Sequence, residues 1–196
     1  MTMAKAQTNT KSRILQTART LYSTHGCDTT TLDDIITAAG VTKGAFYHYF
    51  KSKDSLCEAV LEQVIEDYRQ LAATLDDQAE PIVQLSEMIG KLARLNASGE
   101  WVNCRLILRL SADCHQSHPQ MQRRLREFWR WETGFYEELI GRCVAAGQLN
   151  RQLGARTQAR LLLAVTAGAL TLDRMEPSES VFALLSETVI DLLRRC

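Results

Sequence analysis

Between Thr31 and Lys53 the chain reads Thr-Leu-Asp-Asp-Ile-Ile-Thr-Ala-Ala-Gly-Val-Thr-Lys-Gly-Ala-Phe-Tyr-His-Tyr-Phe-Lys-Ser-Lys. The residue types in its second half suit contact with a DNA groove. Lys43 can reach guanine acceptors or a phosphate, and the methyl of Ala45 can meet a thymine methyl. Gly44 beside it lets a backbone approach closely. Tyr47 and His48 can donate to phosphate oxygens, which fixes register without reading sequence. Lys53 is spaced to neutralise a phosphate.

Such groups work only if local structure presents them together. Thr31 can cap a helix with Asp34 three residues on, the pattern of a capping box. Leu32, Ile35 and Ile36 give that helix an apolar face, and Gly40 can close it in the left-handed conformation. Thr42 can cap a second helix, on which Phe46 and Phe50, four apart, face the core together. Lys43, Tyr47 and His48 are then left pointing outward. The spacing predicts a helix-turn-helix whose second helix enters a major groove by its N-terminal residues. A packed helical hairpin with a few exposed polar groups is the plainer alternative. Two caps, a turn glycine and a Lys/Tyr/His cluster falling in one segment favour the first reading.

The run from Thr30 to Leu56, with its Ala-Gly-Val-Thr-Lys-Gly-Ala-Phe-Tyr-His-Tyr-Phe centre, resembles the DNA-binding domain of the TetR family of bacterial regulators. The likeness begins upstream, in an amphipathic helix carrying Ile14, Leu15, Ala18, Leu21 and Tyr22 and followed by His25-Gly26, and covers about the first quarter of the chain. The resemblance implies an all-α protein of about nine helices. A three-helix DNA-binding domain (1–56) would precede a C-terminal domain (57–196) for effector sensing and dimerisation. It implies a homodimer on near-palindromic double-stranded operator DNA. Carried over residue by residue, the DNA-facing positions are Thr31, Thr42, Lys43, Gly44, Ala45, Tyr47, His48 and Lys53. Two positions depart from the family's pattern. Ile36 stands where many members have Ala, and Cys27 where an aromatic residue usually follows the glycine, a change expected to loosen local packing.

Composition agrees. A chain of 196 residues is long enough to bury a substantial core. No apolar run approaches the roughly 18 residues of a membrane span, and no basic-then-apolar leader is present, so a soluble cytoplasmic protein is expected. The net charge of zero hides an asymmetry. Residues 1–56 hold seven Lys or Arg against four Asp, a balance of +3, which leaves −3 for the remainder. The basic end is the expected reading end.

Beyond Lys53 the pattern stays helical. Helices are predicted from Lys53 to about Leu75, from Pro81 to Ala97, from about Trp101 to Gln116, over Gln120–Ala146, and over about 155–174 and 178–195. The last two are apolar over a wide arc, with small residues Ala164, Ala167 and Gly168 allowing close approach. They are expected to pair across a dimer; burial within one subunit is the alternative. Candidate residues for an effector cavity are Trp101, Cys104, Leu108, Trp129, Phe135 and Tyr136, although most such aromatics simply fill cores.

Six cysteines are present: Cys27, Cys57, Cys104, Cys114, Cys143 and Cys196. The expected compartment argues against structural disulfides. Cys114-His115 with His118 comes closest to a metal pattern but lacks a fourth ligand, so neither metal nor cofactor is expected. The segment around Asn103-Cys104-Arg105 is similar to the sensing-thiol stretch of electrophile-responsive TetR members. Arg105 and a helix N-terminus would both favour a thiolate; a small buried hydrophobe is the other reading of Cys104. The expectation is a repressor released by a small molecule or thiol-reactive effector. One alternative is a regulator with an apolar, non-covalent ligand and structural cysteines. An all-α enzyme is disfavoured, since no phosphate loop, nucleophile elbow or HExxH motif occurs. Arg123, Arg124 and Arg126 beside Glu127 read as a solvated face.

Overall fold

A computed structural model describes residues 2–99, 101–113, 118–175 and 180–195, in which every regular element is a helix. In chain order these are α1 (Thr2–His25), α2 (Leu32–Ala39), α3 (Lys43–Tyr49), α4 (Lys53–Ala73), α5 (Pro81–Ala97), α6 (Asn103–Asp113), α7 (Pro119–Ala145), α8 (Ala155–Met175) and α9 (Val181–Arg195). The all-α expectation holds, and boundaries fall within a few residues of those predicted. Cys114, His115, Gln116 and Cys196, and the expected start of the last helix at position 178, lie outside the described residues. None of the described helices is long and apolar enough to cross a membrane.

The chain divides into two compact units that do not follow chain order. One combines residues 1–67 with 105–123; the other combines 68–104 with 124–196. The linear division at residue 56 expected from the resemblance therefore differs from the packing. The first four turns of α4 and most of α6 share a unit with the helix-turn-helix, because their apolar residues complete its core.

In the first unit Ile14, Leu15, Ala18 and Tyr22 of α1 are buried together with Ile35, Phe46, Phe50, Leu56, Val60, Val64, Leu106 and Leu110. Burial of such side chains contributes roughly 1.5–3 kcal/mol each relative to exposure. Arg19 pairs with Asp67 at 2.6 Å, tying α1 to α4. At the end of α1, Arg109 donates to the His25 carbonyl at 2.8 Å. Gly26 follows with φ of 91°, and a Cβ there would stand 2.6 Å from an Asp113 oxygen. The left-handed conformation favours glycine at that point, and any larger residue would also have to displace the Asp113 carboxylate.

In the second unit α5, α7, α8 and α9 supply most of the core, with Leu85, Ile89, Phe128, Leu139, Ile140, Leu162, Phe182 and Leu193 buried. Buried amides tie the turns. Gln84 donates to the Asp76 and Ala79 carbonyls and accepts from Arg142. Gln158 donates to the carbonyls of Asn150 and Leu153. Asp173 on α8 accepts from the Val181 and Phe182 amides, so the N-terminus of α9 is capped by its neighbour as well as by Ser180.

Candidate nucleic-acid interface

The helix pair is built by its caps. Thr31 Oγ1 accepts from the Asp34 amide at 3.2 Å, while an Asp34 oxygen accepts from the Thr31 amide at 2.9 Å and from its hydroxyl at 2.6 Å. These bonds, the one from the hydroxyl foremost, hold the Asp34 carboxyl below its ordinary pKa. Gly40 closes α2 at φ 60° and ψ 42°, its amide donating to the carbonyls of Ile36 and Thr37. Arg13 on α1 donates to the Gly40 carbonyl at 3.3 Å and braces the turn from outside. Thr42 Oγ1 then accepts from the Ala45 amide at 3.1 Å and starts α3.

Those constraints fix the rotation of α3. Phe46 and Phe50 are buried, their ring centroids 5.8 Å apart. Lys43, Gly44, Tyr47 and His48 are exposed, Tyr47 at 50%, with Ala45 half-buried between them. Tyr47 leans edge-on against Phe46 at 5.4 Å, which limits its rotamers while leaving its hydroxyl outward. Lys43 lies 3.5 Å from Asp33. Both partners are well exposed, so the pair is weak and easily exchanged for a phosphate. Thr42 uses only its acceptor oxygen in the cap, and its hydroxyl proton stays available to donate.

Two of the expected DNA-facing residues also hold the local fold together. Lys53 is half-buried, and its ammonium donates to the carbonyls of Cys27 at 2.9 Å, Asp28 at 3.3 Å and Thr30 at 3.1 Å. An ammonium has three donors, and all three are used. Lys53 thus closes the loop between α1 and α2. Thr31 likewise commits its hydroxyl as both donor and acceptor within the capping box. Arg13 and the carbonyl set of loop 27–30 were missed, since neither contact has a short-range spacing.

The candidate effector residues are dispersed. Cys104 and Tyr136 are buried in the second unit, where the Tyr68 hydroxyl donates to the Cys104 sulfur at 3.3 Å and the Trp101 ring meets Tyr68 edge-on. Phe135 stacks on Trp131. Trp129 instead lines an open cleft of about 420 Å³ with Arg126, Arg130, Arg156 and Arg160. Leu108 falls in the other unit and is not gathered with the rest.

Sequence reasoning passed over Glu132, which is 7% exposed and whose pKa burial pushes up to about 8. Its signal was a lone carboxylate on the apolar stripe of α7, four residues after Phe128 and four before Tyr136. Cys27 is a thiol with a cation nearby. A hydrogen bond from Cys57, then the Lys53 charge, hold it below its ordinary pKa.

Two capped helices joined by a left-handed glycine, the second anchored by phenylalanines and showing a Lys/Gly/Tyr/His face, define a helix-turn-helix regulator. Residues 14–60 match the model of bacterial regulatory proteins of the tetR family. The chain is 36% identical over 74 residues to the HTH-type transcriptional repressor KstR2 of Rhodococcus jostii, a match spanning 35% of this chain and 36% of that protein. It is 24% identical over 163 residues to the HTH-type transcriptional regulator UidR of Escherichia coli, covering 82% of this chain and 80% of the relative. The fold matches the crystal structure of a TetR-family transcriptional regulator from Agrobacterium tumefaciens with a TM-score of 0.83 and 21% identity, over 96% of this chain and 99% of the other. Residues 14–60 are thus the DNA-binding segment of the tetR family, and the chain as a whole shares the fold of a TetR-family regulator. These relatives are named as regulators of transcription, not as enzymes.

Proposed function

We propose that this chain is a homodimeric repressor that binds near-palindromic operator DNA in the cytoplasm and is released by a small-molecule or thiol-reactive effector. The observation that carries the DNA reading is the rotation of α3, which buries Phe46 and Phe50 while exposing Lys43, Gly44, Tyr47 and His48. In this reading residues 1–56 are the reading head. Lys43 and Ala45 meet base edges, Gly44 admits the backbone, and Thr42, Tyr47 and His48 hold phosphates. Thr31 and Lys53 act as positioning residues, keeping α2 and loop 27–30 in place.

Dimerisation through α8 and α9 is supported by apolar side chains left in the open on both. Met175 is 74% exposed and Leu184 58%, with Leu172 and Leu192 also exposed. A second copy covering this face would bring two reading heads onto a two-fold site. Effector sensing falls to the second unit. Burial of Cys104 against the Tyr68 hydroxyl favours a second reading, in which the cysteines are structural and the effector binds without covalent chemistry.

Fluorescence anisotropy on the DNA upstream of the protein's own gene tests the proposal, with reduced protein and again after an electrophile. Tight, salt-sensitive binding lost on treatment supports the first reading. Tight binding that ignores treatment supports the second, and failure to bind that DNA tighter than random duplex sinks both.

A further inference from the structure

The open cleft of about 420 Å³ in the second unit is lined by charges of one sign from two helices. Arg126 and Arg130 line it from α7, and Arg156 and Arg160 from α8, each pair four residues apart and so on one side of its helix. Glu137 is the one carboxylate among the lining residues, and it already faces Arg156 at 4.0 Å, with both side chains exposed or half-exposed. Arg126, Arg130 and Arg160 form no ion pair among the described residues. Four guanidinium groups thus stand against a single carboxylate, although residues 57–196 carry a net charge of −3.

Two neutral residues shape the same cleft. Trp129, half-buried, gives it a flat apolar wall. Gly134 lies in the interior of α7, where a helix favours almost any other residue. A Cβ there would meet nothing within 4 Å, so neighbouring side chains do not require the glycine. Its missing side chain leaves the α7 backbone open to an occupant of the cleft.

Like charges four residues apart on a helix repel, and two such pairs sharing one cleft add to the repulsion. Packing does not account for them, since all four arginines are exposed. An anion seated among them removes the repulsion. A guanidinium is planar, always charged and presents its donors as a fork, which matches a phosphate through paired hydrogen bonds. An indole face beside it adds stacking for a flat ring. The cleft also falls within the roughly 300–1,000 Å³ of small-molecule sites.

We infer that this cleft is a binding site for a phosphorylated aromatic ligand of nucleotide size, with the four arginines on its phosphates and Trp129 against its ring. The inference names a ligand class for the effector reading above and rests on that reading for its regulatory meaning, not for binding itself. An occupant links α7 to α8, and α8 carries part of the face proposed for the second copy, so binding bears on the spacing of two reading heads.

The test titrates full-length protein by calorimetry, without DNA or divalent cations, with pyrophosphate, adenosine diphosphate and adenosine. Pyrophosphate is expected to bind, adenosine diphosphate at least about tenfold tighter, and adenosine far more weakly than either. Trp129→Leu is expected to bring adenosine diphosphate down to the affinity of pyrophosphate. Arg130→Gln with Arg160→Gln is expected to lose at least about tenfold for both anions. Both side chains are exposed, so that variant keeps its helical circular dichroism. Arg123→Gln with Arg124→Gln removes the same charge from exposed positions outside the cleft and is expected to bind both anions as the wild type does. No binding of either anion, equal affinity for the two anions, or equal losses in the two arginine variants would each overturn the inference. The expected anion binding with no change in operator affinity would support the site and count against the effector reading alone.

Discussion

Replacing Glu132 by Gln should change how stability depends on pH. The ordinary carboxyl pKa is 4.5, and burial raises that of Glu132 to about 8 in the folded protein. Between those values the folded state holds a proton that the unfolded chain has released, so rising pH favours unfolding. The contribution of the neutral acid is fully present below about pH 4.5 and is lost as pH rises through about 8. The slope is at most about 1.4 kcal/mol per pH unit. Between pH 5 and pH 7 the wild type should lose roughly 2–3 kcal/mol that the variant keeps. For a chain of this size that corresponds to a divergence in Tm of roughly 4–12 °C. Thermal melts by circular dichroism at the two pH values, at one protein concentration and ionic strength, supply the comparison. Titrations elsewhere cancel in the difference between the two proteins. Parallel Tm values at pH 5 and pH 7 would show that Glu132 ionises normally, and the buried carboxyl described above would be wrong.

Other outcomes follow from the same geometry. Lys53→Met should cost on the order of 2–3 kcal/mol, because three loop carbonyls lose a charged donor, yet leave the salt dependence of DNA binding unchanged; a slope reduced by about one would return Lys53 to the phosphates. Gly40→Ala should destabilise by about 1–2 kcal/mol, since its φ of 60° penalises any Cβ; an unchanged urea midpoint would refute that conformation. Leu184→Glu with Leu192→Glu should yield a monomer in sedimentation velocity, and a persistent dimer would place the interface elsewhere. Iodoacetamide should label Cys27 before Cys104, read by peptide mass mapping, because an ammonium and a thiol donor beside Cys27 favour its thiolate; the reverse order would restore Cys104 as the reactive thiol.

The residues legible in the sequence were those whose partners are a few positions away. The capping box of Thr31 and Asp34, the closing Gly40, the Thr42 cap and the Phe46–Phe50 anchor are all bonds or contacts within four residues. The helix boundaries after them depend on similar local signals at Pro81 and at Ser98-Gly99. What was not legible spans longer distances. Lys53 reaches back to residues 27–30, Arg13 reaches forward to Gly40, and Asp173 caps a helix eight residues on. A lysine that closes a loop and a lysine that meets a phosphate have the same spacing, and only the fold separates them. Glu132 was visible as a charge on an apolar stripe, but amphipathic periodicity alone does not say whether such a residue turns out to solvent. Its burial depends on packing between helices, and Tyr68, whose own pKa its charge raises, is brought near by α4 from more than sixty positions earlier in the chain.

The central claim is that the exposed face of α3 reads DNA, and one binding comparison tests it most directly. Fluorescence anisotropy would compare wild type with a Lys43→Ala, Tyr47→Ala variant on duplex DNA from upstream of the protein's own gene. Both altered side chains are exposed, so the variant should keep its helical circular dichroism. The account predicts tight wild-type binding with a steep salt dependence, and a loss of at least about tenfold in the variant. Equal binding by the two proteins, with both folded, would mean that the DNA lies on some other surface.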